Sequence, residues 1–322
     1  MTRAAALAEL EADAAFVHET LGPTPQIAWP LLAARAGCDV WVKHENHLPL
    51  GSFKPRGGLT YFRELRAAEP AVRGVVTASR GNHGQSVPWA ARRFGIPATV
   101  VIPHGNSAGK NAAMRALGAT LVEHGRDFSE AYEHALKLAE SLDLRLVPSF
   151  HPWLVRGVST WAFELLRAVP DLDVLYVPIG LGSGICGALR ARDALGARTK
   201  IVGVVAAGAP AYALSFAAGR PVPSDSVDTF ADGLAVRVPN AESLERIRAS
   251  VERVVQVSDR QIAAAVRALF SDTHNVAEGA GAAGLAACLA ERDSVAGKKV
   301  GVVLTGGNID RELYARILAE KE

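Results

Sequence analysis

The segment Val177-Pro-Ile-Gly-Leu-Gly-Ser-Gly-Ile-Cys-Gly187 indicates the fold class, because an apolar run leads through closely spaced glycines into a sequence that favours a helix. A strand followed by a glycine-rich turn and a helix is the start of a crossover unit in a parallel sheet. Gly180, Gly182 and Gly184 let a bound group approach the backbone, and Ser183 adds a hydroxyl. These features favour a phosphate-binding turn, with a purely structural turn as the alternative.

The alternation of short β-branched runs with longer Ala-rich amphipathic segments continues on both sides of this turn. Parallel strands joined by helices have this pattern, so the sequence predicts an α/β protein. Strands are expected at Val40–His44, Gly74–Thr77, Ala98–Ile102, Thr120–Glu123, Leu144–Pro148, Val174–Ile179, Lys200–Val205, Val254–Val257 and Lys299–Leu304. Helices are expected at Ser129–Ser141, Trp153–Ala168, Asp259–Phe270 and Glu278–Glu291, with an amphipathic helix near the N-terminus and a long surface loop at Pro221–Arg237.

Length and composition exclude several classes of protein. The 322 residues are enough for two domains, and 49% hydrophobic with 21% charged residues is incompatible with intrinsic disorder. Since 35 Lys and Arg oppose 33 Asp and Glu, the net charge of +2 gives no broad positive field, and we expect no nucleic-acid partner. The longest charge-free stretch, Ile201–Gly219, contains glycine and proline, so we expect no membrane span. Three widely spaced cysteines cannot all pair, which favours a reducing, cytoplasmic location.

A second segment, Gly51-Ser-Phe-Lys-Pro-Arg-Gly57, places a lysine at the start of a predicted helix, since Pro55 is a favoured first helical residue. The positive end of a helix dipole favours a neutral amine over an ammonium, which would help Lys54 act as a nucleophile. An exposed lysine in a turn is the alternative.

Two further segments follow predicted strands. In Thr77-Ala-Ser-Arg-Gly-Asn-His-Gly-Gln-Ser86, a loop precedes a helix, with free backbone donors suited to a carboxylate or phosphate. A tight turn with an Asn cap is the alternative. In Val302-Val-Leu-Thr-Gly-Gly-Asn308, Thr305 and two glycines follow a buried strand, at the end of the sheet where α/β proteins bind ligands.

Together the four segments resemble a known family. The motifs G-S-F-K-x-R-G, S-x-G-N-H-x-Q, a glycine-rich turn and T-G-G-N, in this order, are similar to those of the pyridoxal-phosphate enzymes of the tryptophan-synthase β type (fold type II), and within them of the threonine/serine dehydratase and serine racemase group. The similarity extends from Thr24-Pro25 to about Leu318. It implies two open twisted-sheet α/β domains with pyridoxal 5'-phosphate in the cleft between them. Residues 63–151 would form a small inserted domain, and residues 1–62 and 152–322 the large one.

The resemblance also implies a role for each matched residue. Lys54 would be the catalytic, Schiff-base lysine, and the other cofactor contacts would be Phe53, Asn82, Gly180, Leu181, Gly182, Ser183, Gly184, Glu278 and Thr305. The substrate carboxylate would bind to the loop of Ser79, Arg80, Gly81, Asn82 and His83. A threonine hydroxyl cannot keep the pyridine nitrogen protonated, so the site suits β-elimination better than a reaction with a long-lived carbanion.

These features predict a lyase of amino-acid catabolism, similar to threonine and serine dehydratases. It would remove the β-hydroxyl of a 3-hydroxy amino acid and give a 2-keto acid and ammonia. The resemblance implies a homodimer. An unregulated enzyme is expected, because the chain ends soon after Thr305 and leaves no room for a regulatory domain. A racemase or a β-replacement enzyme with the same cofactor is the nearer alternative. A dinucleotide-dependent oxidoreductase is the distant one, because the turn at Gly180 resembles G-x-G-x-x-G but no acidic residue follows the next strand.

The sequence departs from its relatives at three places. Arg80 stands where serine racemases have a serine that acts as a second acid/base, and arginine stays protonated, so little racemisation is expected. Its guanidinium could bind a second carboxylate or a polar group of the substrate, with an outward salt bridge, for example to Glu278, as the alternative. Gly180-Leu-Gly-Ser-Gly184 stands where the dehydratases of this group commonly have four consecutive glycines. Ala206-Ala-Gly-Ala-Pro210 replaces the acidic residues with which some relatives bind a cation, so no metal site is expected.

Overall fold

The structure, a computed structural model, describes residues 2–225 and 227–320. The chain forms two compact units, Met1–Phe53 with Val158–Glu322 as the first and Lys54–Gly157 as the second. The second unit includes all of residues 63–151, the range that the sequence resemblance implies for a small domain, and extends beyond it at both ends.

The secondary structure follows the expected alternation. In the described part of the chain the strands are β1 (Gln26–Ala28), β2 (Asp39–His44), β3 (Val75–Ala78), β4 (Ala98–Ile102), β5 (Thr120–Glu123), β6 (Arg145–Leu146), β7 (Val174–Pro178), β8 (Lys200–Ala206), β9 (Arg253–Val257) and β10 (Lys299–Leu304). The helices are α1 (Arg3–Leu21), α2 (Pro30–Ala36), α3 (Lys54–Ala68), α4 (Asn82–Arg93), α5 (Ala108–Ala116), α6 (Phe128–Ser141), α7 (Pro152–Ala168), α8 (Ser183–Leu195), α9 (Ala211–Ala218), α10 (Ala241–Ser250), α11 (Asp259–Thr273), α12 (Gly279–Ala290), α13 (Arg292–Val295) and α14 (Arg311–Ala319). The expected strands are all present, and the α/β prediction is confirmed.

Two details differ from the sequence-based expectation. The short strand β1 was not expected; it pairs antiparallel with β2 at the edge of the sheet, and its half-exposed residues give no apolar run. The expected loop at Pro221–Arg237 is irregular except for a 3-10 turn at Asp232–Leu234. Ser226, within that loop, lies outside the described residues.

The first unit is built on a six-stranded sheet in the order β1-β2-β10-β7-β8-β9. All pairs except β1 with β2 are parallel, and Val300 of β10 lies opposite both Val40 and Val174. Residues of α2, α11 and α12 pack with the apolar side chains of this sheet in one continuous core. Helix α8 contacts α1 and α10 as well as β7 and β8.

The second unit contains a parallel sheet in the order β5-β4-β3-β6. Successive residues of a strand point to opposite faces. Accordingly, Val101 packs in one cluster with Ala131 and Ala135 of α6, whereas Val100 and Ile102 pack in another with Met114 of α5. This unit therefore has helices on both faces of its sheet.

Cys38, Cys186 and Cys288 are buried free thiols. Within residues 2–225 and 227–320 no helix combines the length and the apolar character needed to cross a membrane.

Candidate active site

The glycine-rich turn joins β7 to α8. Gly182 is the N-cap residue of α8 and has a φ of +100°, a conformation that favours glycine. A Cβ at Gly182 would lie 2.5 Å from the Cβ of Ser243, and one at Gly180 would lie 2.4 Å from the carbonyl oxygen of Gly233. Neither position has room for a side chain. Because its N-cap is a glycine, α8 begins without a side-chain cap, and the start of such a helix favours an anion.

Two other segments meet the turn in the first unit. The backbone N–H of Phe53 donates to the carbonyl oxygen of Thr305 at 3.1 Å, and Ser52 forms an antiparallel bridge with Gly306. A Cβ at Gly184 would lie 3.7 Å from Cζ of the Phe53 ring. The structure thus brings Phe53, Gly184 and Thr305 into one region.

Glu278 lies beside the same loop. Its backbone N–H donates to the carbonyl oxygen of Gly306 at 3.1 Å, and a Cβ at Gly306 would lie 2.6 Å from its Oε1. Glu278 is the N-cap residue of α12 and is half-buried. Its carboxylate therefore adjoins the residue that follows Thr305.

Lys54 is the residue after Phe53 and begins α3, as expected from the sequence. It is half-buried, and its carbonyl oxygen accepts a hydrogen bond from Ser86 Oγ of α4 at 2.9 Å. A Cβ at Gly58 would lie 2.6 Å from the same Oγ. Helix α4 therefore packs closely on the first turns of α3.

The loop before α4 differs from the expectation in one respect. Ser79 Oγ accepts hydrogen bonds from the backbone N–H groups of Gly81, at 3.3 Å, and Gly84, at 2.9 Å. The expectation of free backbone donors is therefore wrong for these two residues. Gly81 is the N-cap residue and Asn82 the first residue of α4, so the alternative of an Asn cap is also wrong.

Arg80 and His83 occupy opposite environments in this loop. Arg80 is exposed and forms no ion pair or side-chain hydrogen bond with another described residue of the second unit. His83 is buried, and burial, together with the positive charge of Lys54, lowers the pKa of its imidazole to about 3. A hydrogen bond to the backbone of Val147 opposes this shift, and Nε2 has no hydrogen-bond partner among the described residues. His83 is therefore neutral near pH 7 and is not a proton donor there.

Two residues near the turn gave no signal in the sequence. Ser243 fills the space beside Gly182, and the Tyr212 hydroxyl would lie 3.7 Å from a Cβ at Gly182. Tyr212 is in the charge-free stretch and Ser243 in an ordinary surface-helix pattern, so only the folded chain reveals their position.

In the described part of the chain, no group of three or more His, Cys, Asp or Glu residues is arranged to hold a metal ion.

The arrangement fits pyridoxal phosphate. The turn at Gly180 and Gly182 has no room for side chains and leads into an uncapped helix start, which suits a phosphate. An aromatic ring, Phe53, borders the turn and is followed by a lysine. The buried Thr305 and the Glu278 carboxylate supply polar groups on the neighbouring loop.

Comparisons with known proteins agree with this interpretation. The L-threonine ammonia-lyase of Thermotoga maritima is 38% identical over 289 residues, which cover 89% of this chain and 72% of the relative. The L-threo-3-hydroxyaspartate ammonia-lyase of Saccharomyces cerevisiae is 32% identical over 307 residues, covering 95% and 94%. The solved structure of the processed form of threonine deaminase isoform 2 from Solanum lycopersicum matches with a TM-score of 0.91 at 30% identity, covering 98% of this chain and 94% of that one. The sequence profile of the pyridoxal-phosphate dependent enzymes matches residues 17–306, and the chain therefore belongs to this family, with fold type II.

Proposed function

We propose that this protein is a pyridoxal-phosphate dependent ammonia-lyase that removes the β-hydroxyl of a 3-hydroxy amino acid and releases a 2-keto acid and ammonia. The observation that carries the proposal is the position of Lys54. It directly follows Phe53 in the chain. The backbone N–H of Phe53 donates a hydrogen bond to the carbonyl oxygen of Thr305, and its ring borders Gly184. The names of both relatives, ammonia-lyases for L-threonine and for L-threo-3-hydroxyaspartate, support the same reaction class.

The first unit would hold the phosphate and the ring of the cofactor. The backbone of the Gly180–Gly184 turn, including Leu181, and the hydroxyl of Ser183 would bind the phosphate at the start of α8. Phe53 and Glu278 would border the ring, Thr305 would face its nitrogen, and Asn82 would bind its phenolic oxygen. When bound, the cofactor withdraws electrons from the α-carbon of the amino acid.

Lys54 would provide the amine that binds the cofactor and would then take the α-proton of the substrate. The helix dipole at the start of α3 favours the neutral amine, the form that accepts a proton. Thr305 offers a hydroxyl and no negative charge, which favours elimination over reactions that need a protonated pyridine nitrogen. His83 is neutral, so it would not donate the proton that the leaving hydroxyl needs.

The substrate carboxylate would bind to the loop of Ser79, Arg80, Gly81, Asn82 and His83, through donors other than the Gly81 and Gly84 amides, which donate to Ser79 Oγ. Arg80 is exposed and unpaired within its unit, so its guanidinium is available for a second carboxylate or a polar group on the substrate. A dicarboxylic or otherwise polar 3-hydroxy acid is therefore our preferred substrate class. Because arginine cannot replace the serine that racemases use as an acid, racemisation would be minor.

The test uses the purified holoenzyme. An absorbance band at the violet end of the visible spectrum that borohydride removes would indicate a lysine-bound cofactor. Release of a keto acid and ammonia would then be measured for 3-hydroxy amino acids of both β configurations. We expect elimination to exceed racemisation and β-replacement for at least one of them. A colourless protein that retains nicotinamide, or substantial racemisation of serine, would contradict the proposal.

We further infer a homodimer, from the resemblance to this group of enzymes, and a location in the cytoplasm. The three buried free thiols support a reducing compartment, because cysteines of secreted proteins are mostly paired. Light scattering of the purified protein would give twice the mass of one chain. A monomer at working concentration would contradict the dimer.

A further inference from the structure

A network of buried hydroxyl groups lies against the glycine-rich turn. Tyr212 of α9 and Ser243 of α10 have 1% and 0% of their surface exposed. The Tyr212 hydroxyl lies 2.7 Å from Ser243 Oγ and accepts a hydrogen bond from the backbone N–H of Asn240 at 3.0 Å. These residues are far from Gly182 in sequence, yet they border it in the first unit.

The hydrogen bonds of this network determine which group donates to which. Ser243 Oγ donates to the carbonyl oxygen of Asn240 at 3.1 Å, which uses its single proton. The proton of the Tyr212 hydroxyl is therefore directed at Ser243 Oγ. Each hydroxyl both donates and accepts, so removal of either one leaves a buried polar group without its partner.

The network also fixes the space available to the turn. A Cβ at Gly182 would lie 2.5 Å from the Ser243 Cβ and 2.6 Å from its Oγ. Ser243 therefore occupies the place of a side chain at position 182. One helical turn further, the Cys186 thiol of α8 lies 3.9 Å from the carbonyl oxygen of Ser243, so α10 contacts both the turn and the helix behind it.

We propose that the hydroxyl pair of Tyr212 and Ser243 positions the Gly182 turn and thereby sets the affinity of the protein for the phosphate group of its cofactor. The inference rests on the proposed function in taking this turn as the phosphate site. Both are positioning residues that act through Gly182. A phenylalanine and an alanine would fill nearly the same space, so packing alone does not explain two hydroxyls in an apolar environment.

The test compares two ligands of the full-length apo-protein, pyridoxal 5'-phosphate and pyridoxal, which lacks the phosphate. Tyr212→Phe should raise the dissociation constant of the phosphorylated ligand about tenfold, because the Gly182 turn loses part of the network that positions it. It should leave that of pyridoxal within about twofold. The matched control is Tyr176→Phe, because Tyr176 is equally buried but donates to Glu291 at 2.6 Å. The control should change neither constant.

A second variant keeps the test independent of how well Tyr212→Phe folds. Ser243→Ala removes the hydroxyl but retains the Cβ beside Gly182, and it should weaken binding of the phosphorylated ligand to a similar extent. The double variant should lose little more than the larger single loss, since both changes disrupt one network. Equal losses for both ligands, or no loss for the phosphorylated one, would overturn the proposal. If the unmodified protein bound the two ligands equally, the phosphate site of the proposed function itself would be wrong.

Discussion

The sequence predicted that Lys54 lies at the start of a helix, but it did not predict which residues contact Lys54. Pro55 marks the helix start, so the lysine at the first turn of α3 could be expected. The hydrogen bond from Ser86 Oγ to the Lys54 carbonyl joins residues that are 32 positions apart, and no local pattern encodes it. By contrast, Ser79 Oγ accepts from two amides of its own loop, two and five residues away, a local contact of the kind that serine makes in turns.

Lys54→Ala is expected to reduce turnover by more than about a thousandfold, because it removes the amine that binds the cofactor and the base that takes the α-proton. Release of keto acid and ammonia measures the loss, and the thermal midpoint of the apo-protein should change little. Lys110→Ala in α5 is the control and should retain activity. Normal turnover in Lys54→Ala would refute the assignment of Lys54. Lys43 is less suited to its role, because its Nζ is buried and bonded to Glu164 and to the carbonyl oxygen of Thr24.

Arg80→Ala is expected to lower kcat/KM about 30-fold on the preferred substrate while leaving serine turnover nearly unchanged. The loss of one charge-assisted contact in the transition state is of this size. Kinetics on both substrates provide the measurement. Arg115→Ala, at an exposed position of α5 in the same unit, should affect neither substrate. Equal losses on both substrates would mean that Arg80 serves the structure of the loop instead.

Secondary-structure elements show where sequence patterns are informative. Buried parallel strands such as β4 and β10 are mostly apolar, with Thr99 and Lys299 as the exceptions, and their ends agree with the expectation. Two of the four edge strands were harder, since β1 was missed and β6 is shorter than Leu144–Pro148. An edge strand pairs on one side only, so its sequence need not be apolar throughout.

Gly157→Ala is expected to destabilise the second unit by about 3 kcal/mol, because an added methyl group would overfill the contact between α3 and the start of α7. A Cβ at Gly157 would lie 2.1 Å from the carbonyl oxygen of Arg56 and 2.3 Å from Thr60 Oγ. Thr60 also donates to the carbonyl oxygen of Trp153, which fixes the two helices at this distance.

Urea unfolding measures this effect. Ala112→Ser is the control, because Ala112 is exposed on α5 of the same unit and surface substitutions change stability little. Equal stability of the two variants would show that the α3–α7 contact adapts to an extra methyl group.

At the scale of the whole molecule, strand order explains how distant segments meet. β10 lies between β2 and β7, so the segments after these three strands leave the sheet side by side. The segment after β2 carries Ser52 and Phe53, the segment after β10 carries Thr305, and the segment after β7 is the glycine-rich turn. The sequence predicted each of these three strands and placed a candidate site segment after it. It did not determine the order of the strands, because pairing depends on contacts between residues hundreds of positions apart.

Two buried histidines link the stability of the whole protein to pH. Burial lowers the pKa of His83 to about 3 and that of His44 to about 4, with Lys54 contributing to the first and the neighbouring His47 and Lys43 to the second. The indole N–H of Trp29 donates to His44 Nε2, which must therefore lack a proton. Both imidazoles are neutral in the folded protein at a pH where they would be charged in the unfolded chain.

The sign of the effect follows from proton uptake on unfolding. Between pH 6.5 and the lowered pKa values, the unfolded chain binds more protons than the folded one, so the free energy of unfolding falls as the pH falls. Each histidine contributes about 1.4 kcal/mol per pH unit in this range. In urea unfolding at pH 7, 6 and 5, His83→Asn should therefore show a shallower loss of stability than the unmodified protein. If His83→Asn retains the full slope, the His83 imidazole is charged in the folded state or accessible to water, and its neutral, buried role in the loop is refuted.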